Sequence, residues 1–204
     1  MNKVEEEKIF KLAILLSLLT IIFNLLEGLA SIYFGYRDAA LTLFGFGADS
    51  FIEMISAAGI YFMVKRIINN PASHRNKFET TSLRITGISF YLLSAGLIIS
   101  VIINLFNGYK PRTTFAGVII ALMSIAAMLF LIYGKQYVGK KLNSTPIIAD
   151  ANCTKVCVYM SFVLLISSLI YAITGLGYID NIGTIGIVYF SIKEGKEAFE
   201  KAKD

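Results

Sequence analysis

The sequence predicts an all-α membrane protein whose helices cross the bilayer six times. Hydrophobic residues make up 56% of the 204 residues, the mean hydropathy is +0.68, and charged residues make up 16%, against about 25% in soluble domains. The charges are clustered, so several apolar stretches reach the roughly 20 residues that span a bilayer. The predicted membrane helices cover residues 10–34, 39–64, 83–107, 114–134, 146–174 and 178–192. We therefore expect residues 1–204 to form a single transmembrane domain, with no soluble domain after the last helix.

The first three helices are separated by charged and turn-forming residues. The first follows a segment in which Glu5, Glu6 and Glu7 lie among lysines, and its apolar run is too long for the core of a signal peptide. The segment YRDA separates the first helix from the second. The basic segment KRIINNPASHRNKFETTS, which contains proline and asparagine, then separates the second helix from the third.

The last three helices are separated in the same way. NGYKPRTT precedes the fourth helix, GKQYVGKKLNST lies between the fourth and the fifth, and the glycine-containing GLGY lies between the fifth and the sixth. After the sixth helix only KEGKEAFEKAKD remains, and it reads as a short charged helical end. An even number of spans predicts that both termini lie on the same side of the membrane.

The distribution of positive charge predicts which side that is. Most of the 19 lysines and arginines lie in the N-terminus, in the loops after the second and fourth helices, and in the C-terminus. The loops on the other side contain only Arg37, Lys110 and Arg112, and Lys155 lies within the fifth helix. Because positive charge accumulates on the cytoplasmic side, we expect both termini to be cytoplasmic. The membrane we expect is the cell membrane. The net charge of +5 then reflects topology rather than nucleic-acid binding.

Polar side chains at membrane depth mark a candidate metal site, because a charge there costs a few kcal/mol. Asp49 and Glu53 are four residues apart on the second helix and therefore share a face. Two such carboxylates repel each other unless one holds a proton or a cation lies between them. Cys153 and Cys157 repeat this spacing on the fifth helix. Together the four donors match the count of a tetrahedral site, and their chemistry suits Zn²⁺, Cd²⁺ or Co²⁺ better than Mg²⁺ or Ca²⁺.

Structural interpretations of the same residues remain open. Membrane cysteines can be small packing residues, although a disulfide between adjacent turns of one helix would have poor geometry. The two carboxylates could form an interfacial pair or bind Lys155. Asn24 and Glu27 could hold helices together, and Asp180 could cap the sixth helix.

Two stretches resemble the cation diffusion facilitators, a family of metal/proton antiporters. FGFGADSFIEMISA is similar to that family's second helix, where an acid or histidine and a later acid are ligands; these positions are Asp49 and Glu53 here. KKLNSTPIIADANCTKVCVYMS is similar to the start of the family's fifth helix, where a His or Asp and a later Asp are ligands. The resemblance places Cys153 and Cys157 at those two positions.

The resemblance extends over about residues 10–200 and implies a fold and an activity. The fold would be a six-helix transmembrane bundle of cation-efflux type, and the protein would export divalent metal from the cytosol in exchange for protons. It would not be an enzyme and would need no cofactor. Its partners would be the metal, protons and the lipid bilayer, with a homodimer as one candidate assembly. We expect Zn²⁺ as the metal, with Cd²⁺, Co²⁺ or Fe²⁺ as alternatives. The chain stops where the family's usual cytoplasmic C-terminal domain would begin.

Two further functions remain open alongside transport. The chain could be a non-transporting assembly partner or metal sensor that keeps the transporter frame, or a membrane thiol enzyme that uses Cys153 and Cys157 for redox chemistry. His74, the only histidine, lies in a loop similar to one where some family members bind an accessory metal. Because it has no acidic neighbours there, we expect it to be a solvated loop residue.

Overall fold

The computed structural model describes residues 3–69, 77–108 and 115–203, and these residues form six α-helices without any β-strand. The prediction of an all-α membrane bundle is therefore confirmed. His74, Lys110 and Arg112 lie outside the described residues. The helices are α1 (Lys3–Arg37), α2 (Leu41–Asn69), α3 (Lys77–Asn107), α4 (Phe115–Lys141), α5 (Thr145–Thr174) and α6 (Tyr178–Lys201).

Several helices extend beyond their apolar cores. Hydropathy detects only the apolar part of a helix, whereas the backbone hydrogen-bond ladder continues into its polar ends. The fourth helix, predicted to end at residue 134, therefore continues to Lys141. The second helix begins at Leu41 rather than at residue 39, because Ala39 has a φ of 54° and lies outside the helical region.

Four helices contain stretches that are long and apolar enough to cross a membrane: α1, α3, α4 and α5. Each of these stretches has less than half of its residues buried inside the bundle, so much of its apolar surface is available to lipid. Within the described residues, α2 and α6 do not meet the same criterion. Both helices instead place acidic side chains inside the bundle.

The hairpin of α1 and α2 brings two helix backbones into close contact. A Cβ atom added at Gly35 would lie 2.6 Å from the backbone nitrogen of Phe44, and one added at Gly47 would lie 2.8 Å from that of Ile32. Small residues at a membrane helix interface permit this approach. The second of these contacts lies two residues before Asp49 on α2.

Two apolar clusters flank the middle of α2. One contains Phe46 from α2 and residues of α3, α4, α5 and α6, and the other contains Met63 and Val64 from α2 and residues of α1, α4 and α5. The α2 segment between these clusters carries the acidic residues Asp49 and Glu53. The packing therefore leaves a polar layer between two apolar ones.

Asp180 in the first turn of α6 caps α2 rather than α6. Its carboxylate oxygens accept hydrogen bonds from the backbone N–H groups of Leu41 at 2.7 Å and Thr42 at 3.2 Å. The Thr42 hydroxyl donates to the Asp180 carbonyl oxygen at 2.6 Å. The N-terminal N–H groups of a helix lack partners within that helix and favour a negative charge, so a carboxylate from α6 can satisfy them.

Replacing Asp180 with alanine is expected to lower the free energy of unfolding by about 1–2 kcal/mol, the cost of losing a helix cap. Chemical unfolding of the purified protein in detergent would measure this change. Glu200→Ala is the control, because Glu200 is an exposed carboxylate on the same helix and its loss should change stability by less than about 0.5 kcal/mol. Equal effects of the two substitutions would contradict the capping role.

Candidate metal site

Asp49 and Glu53 lie on the inner face of α2, with 2% and 3% of their surfaces exposed. Asp49 Oδ2 lies 3.6 Å from Cys157 Sγ on α5, and Glu53 Oε1 accepts a hydrogen bond from the Thr154 hydroxyl at 3.0 Å. In the described part of the chain, Asp49 Oδ1 and Glu53 Oε2 are buried without a hydrogen-bond partner. Leaving such atoms unpaired is costly, so each carboxylate has an oxygen available to a ligand.

The two cysteines face different neighbours. Both are free thiols, and Cys157 is buried beside Asp49 whereas Cys153 is only partly buried. The Cys153 sulfur lies 3.4 Å from Lys201 Nζ and interacts with the Glu194 carboxylate, both on α6. The structure thus brings Cys157 to the α2 carboxylates and places Cys153 at the contact with α6.

A narrow cavity joins these two groups. Glu53, Cys153, Cys157 and Glu194 all line it, and its free volume is about 20 Å³. Among residues 3–69, 77–108 and 115–203, however, no three His, Cys, Asp or Glu side chains already stand where they could hold a metal ion. The predicted donors are therefore neighbours, and their convergence into one four-ligand site stays a prediction.

Glu194 is a buried acid of this region, although it lies in the segment that the sequence predicts to be a short charged helical end. Only 3% of its surface is exposed. Helical spacing indicates this burial, because Ser191, Glu194 and Ala198 lie on one face of α6 and all three are buried. Continuing the helical pattern of the sixth helix past residue 192 therefore identifies Glu194 as an inward-facing residue.

Lys135 is a second residue whose position differs from the one that the sequence predicts. The sequence predicts Lys135 in the loop after the fourth helix, but it lies within α4 and is 2% exposed. Its ammonium group forms an ion pair with Asp150 Oδ2 at 2.8 Å and donates to the Thr154 hydroxyl at 2.9 Å. Thr154 in turn contacts Glu53, so a buried positive charge is linked to the α2 carboxylates through one hydroxyl.

Three other polar residues of the predicted membrane helices are Glu27, Asn24 and Lys155. Glu27 on α1 accepts a hydrogen bond from Ser50 on α2 at 2.9 Å, which agrees with a role in holding helices together. Asn24 is fully buried, and both polar atoms of its amide lack a partner within the described residues. Lys155 donates to Asn152 at 3.0 Å on an exposed surface.

The charge balance of the interior favours a cation. Within the described residues Lys135 is the one buried lysine or arginine, and Asp150 pairs with it. Asp49, Glu53 and Glu194 are buried in the same region. Three acids close together repel one another when ionised, and a bound cation or protons relieve this repulsion.

Comparison with known proteins identifies the family of this chain. Residues 13–203 match the family model described as the cation efflux transmembrane domain. A search of curated proteins found no match. Because the matched region covers nearly all of the 204 residues, and because it is the six-helix membrane bundle described above, this protein belongs to the cation efflux family of membrane cation transporters.

Proposed function

We propose that this protein exports a divalent transition-metal cation from the cytosol in exchange for protons, through a site made by Asp49, Glu53, Cys153 and Cys157. One observation carries the proposal. Two buried carboxylates lie one turn apart on α2, and among the described residues each keeps an unpartnered oxygen. Asp49 lies against the α5 thiol of Cys157, and Glu53 lines the cavity that Cys157 also lines. This combination supports a cation-binding role, because packing alone leaves those oxygens unsatisfied.

The chemistry of the donors favours soft or borderline metals. Thiolates select Zn²⁺ and its softer relatives, whereas Mg²⁺ and Ca²⁺ prefer shells made only of oxygen. Zn²⁺ is therefore the proposed substrate, and Cd²⁺, Co²⁺ and Fe²⁺ are the alternatives. The carboxylates at the same site provide the hard donors that Zn²⁺ also accepts.

Exchange for protons follows from the same ligands. A thiol or carboxylic acid has to lose its proton before it binds a metal, so metal binding releases protons. Metal and protons thus compete for the same atoms, and a proton gradient can drive metal out of the site. With both termini on the cytoplasmic side, as the positive charges predict, the metal would leave toward the outside of the cell membrane.

Metal flux in proteoliposomes tests the proposal. The wild-type protein should move Zn²⁺ and Cd²⁺ under a pH gradient and should not move Mg²⁺. The variant Cys153→Ala/Cys157→Ala should lower the Zn²⁺ and Cd²⁺ fluxes by at least about tenfold, because even the loss of groups that only support metal ligands lowers metal affinity or activity by about that factor. Cys153→Ser/Cys157→Ser is the matched control for side-chain size, and it should also lose Cd²⁺ flux because a hydroxyl is a hard donor.

Two results would overturn parts of the proposal. Unchanged flux in both double variants would remove the thiols from the site. No flux of any metal in the wild-type protein would favour the non-transporting assembly partner or sensor. That second candidate is consistent with the finding that, among the described side chains, no metal cluster is already assembled.

A further inference from the structure

The cavity beside α2 extends to a third helix. Its lining includes Glu53 from α2, Cys153 and Cys157 from α5, and Glu194 from α6. A free volume of about 20 Å³ is room for one water-sized species. The α6 side of this cavity is not part of the four-residue site that the sequence predicts.

Glu194 is a buried acid whose carboxylate keeps one unpaired oxygen among the described residues. It is 3% exposed, and its Oε1 atom is buried with no hydrogen-bond partner in the described part of the chain. Its neighbours in the cavity are the Cys153 thiol and the Lys201 ammonium group. A carboxylate oxygen buried without a partner is costly unless the protein uses that oxygen to bind something.

We propose that Glu194 is a metal ligand supplied by α6, and that it binds the transported cation together with Cys153. A carboxylate and a thiolate side by side form a donor pair suited to Zn²⁺ or Cd²⁺. The inference rests on the proposed function, which supplies the metal as substrate. It changes the site from a two-helix site to one built by α2, α5 and α6.

Lys201 lies beside the Glu194 and Cys153 donors and allows a second test of their role. Its Nζ atom lies 3.4 Å from Cys153 Sγ and 2.9 Å from Glu197 Oε1. A positive charge beside the pair opposes the approach of a metal cation. Removing this charge should therefore strengthen metal binding, whereas removing the charge of Glu194 should weaken it.

Cd²⁺ titration of the purified protein in detergent tests the inference, with ultraviolet thiolate-to-metal absorption and calorimetry as readouts. Glu194→Gln is expected to raise the Kd for Cd²⁺ at least about tenfold. Lys201→Gln is expected to lower that Kd about two- to fivefold, the range for one partly exposed charge interaction. Glu200→Gln, an exposed carboxylate change on the same helix, should leave the Kd unchanged.

The Kd for Cd²⁺ is expected to rise in Glu194→Gln and to fall in Lys201→Gln. Misfolding would raise the Kd in both variants, so the opposite changes distinguish an effect on the site from a loss of fold. An unchanged Kd in Glu194→Gln, with binding lost in Asp49→Asn, would overturn this inference and leave the proposed function standing. Unchanged Cd²⁺ binding in Glu194→Gln and in Asp49→Asn would overturn this inference and the proposed function together. If Glu194→Gln does not fold, an unchanged or raised Kd in Lys201→Gln overturns the inference.

Discussion

Replacing Asp49 with asparagine is expected to reduce metal binding and metal flux by at least about tenfold. Asparagine has nearly the shape of aspartate, so the packing of α2 is kept. It carries no negative charge and has no carboxylic proton to exchange, so the variant loses both a metal donor and a proton acceptor. Zn²⁺ flux and internal pH, recorded together in proteoliposomes, would show the loss of both movements.

Asp180→Asn is the matched control for this experiment. Asp180 is also a buried carboxylate of the bundle, but its oxygens are occupied by the N–H groups of Leu41 and Thr42. Its replacement should lower stability and leave the Kd for metal unchanged. Equal loss of binding in the two variants would point to a general structural effect, and normal flux in Asp49→Asn would exclude Asp49 from the site.

Replacing Lys135 with methionine is expected to lower the free energy of unfolding by about 3–5 kcal/mol, the cost of removing one partner of a buried ion pair. Methionine fills much of the space of the lysine stem, so loss of charge is the main change. Asp150 would remain buried without its 2.8 Å partner, and its other oxygen already lacks one among the described residues. Thr154 would also lose a donor.

A double-mutant cycle would measure this interaction. In Lys135→Met/Asp150→Asn no uncompensated charge remains, so the loss of stability should be smaller than the sum of the two single losses. Lys196→Met is the control, because Lys196 pairs with Glu200 at 3.9 Å on an exposed surface and such pairs contribute about 0–1 kcal/mol. A loss of that small size in Lys135→Met would contradict the expected role of the buried pair.

The fold and half of the candidate site follow from local features of the sequence. Long apolar runs identify helices, because the bilayer sets their length. The shared face of Asp49 and Glu53 follows from helical periodicity alone. Both features depend only on residues near one another in the chain, and the structure places Asp49 and Glu53 together on the inner face of α2.

The rest depends on contacts between distant parts of the chain. Lys135 looks like a loop cation, since its partner Asp150 is on another helix. The position of Asp180 suggests a cap of its own helix, but its partners belong to α2. Glu194 looks like part of a solvated end by its charge, and its helical spacing from Ser191 and Ala198 is the one local sign of its burial. Hydropathy does not identify these residues, because it gives every charged side chain the same polar value whether or not a distant partner allows that side chain to be buried.

The close glycine contacts between α1 and α2 limit how the transporter can change shape. Backbone atoms at Gly35 and Gly47 already touch the opposite helix, so the two helices cannot slide along each other without steric clashes. We therefore expect the two helices to move together when the protein changes conformation, and α2 carries Asp49 and Glu53. A movement that exposes these carboxylates to the other side of the membrane is then expected at a different interface, where α5 or α6 meets α2.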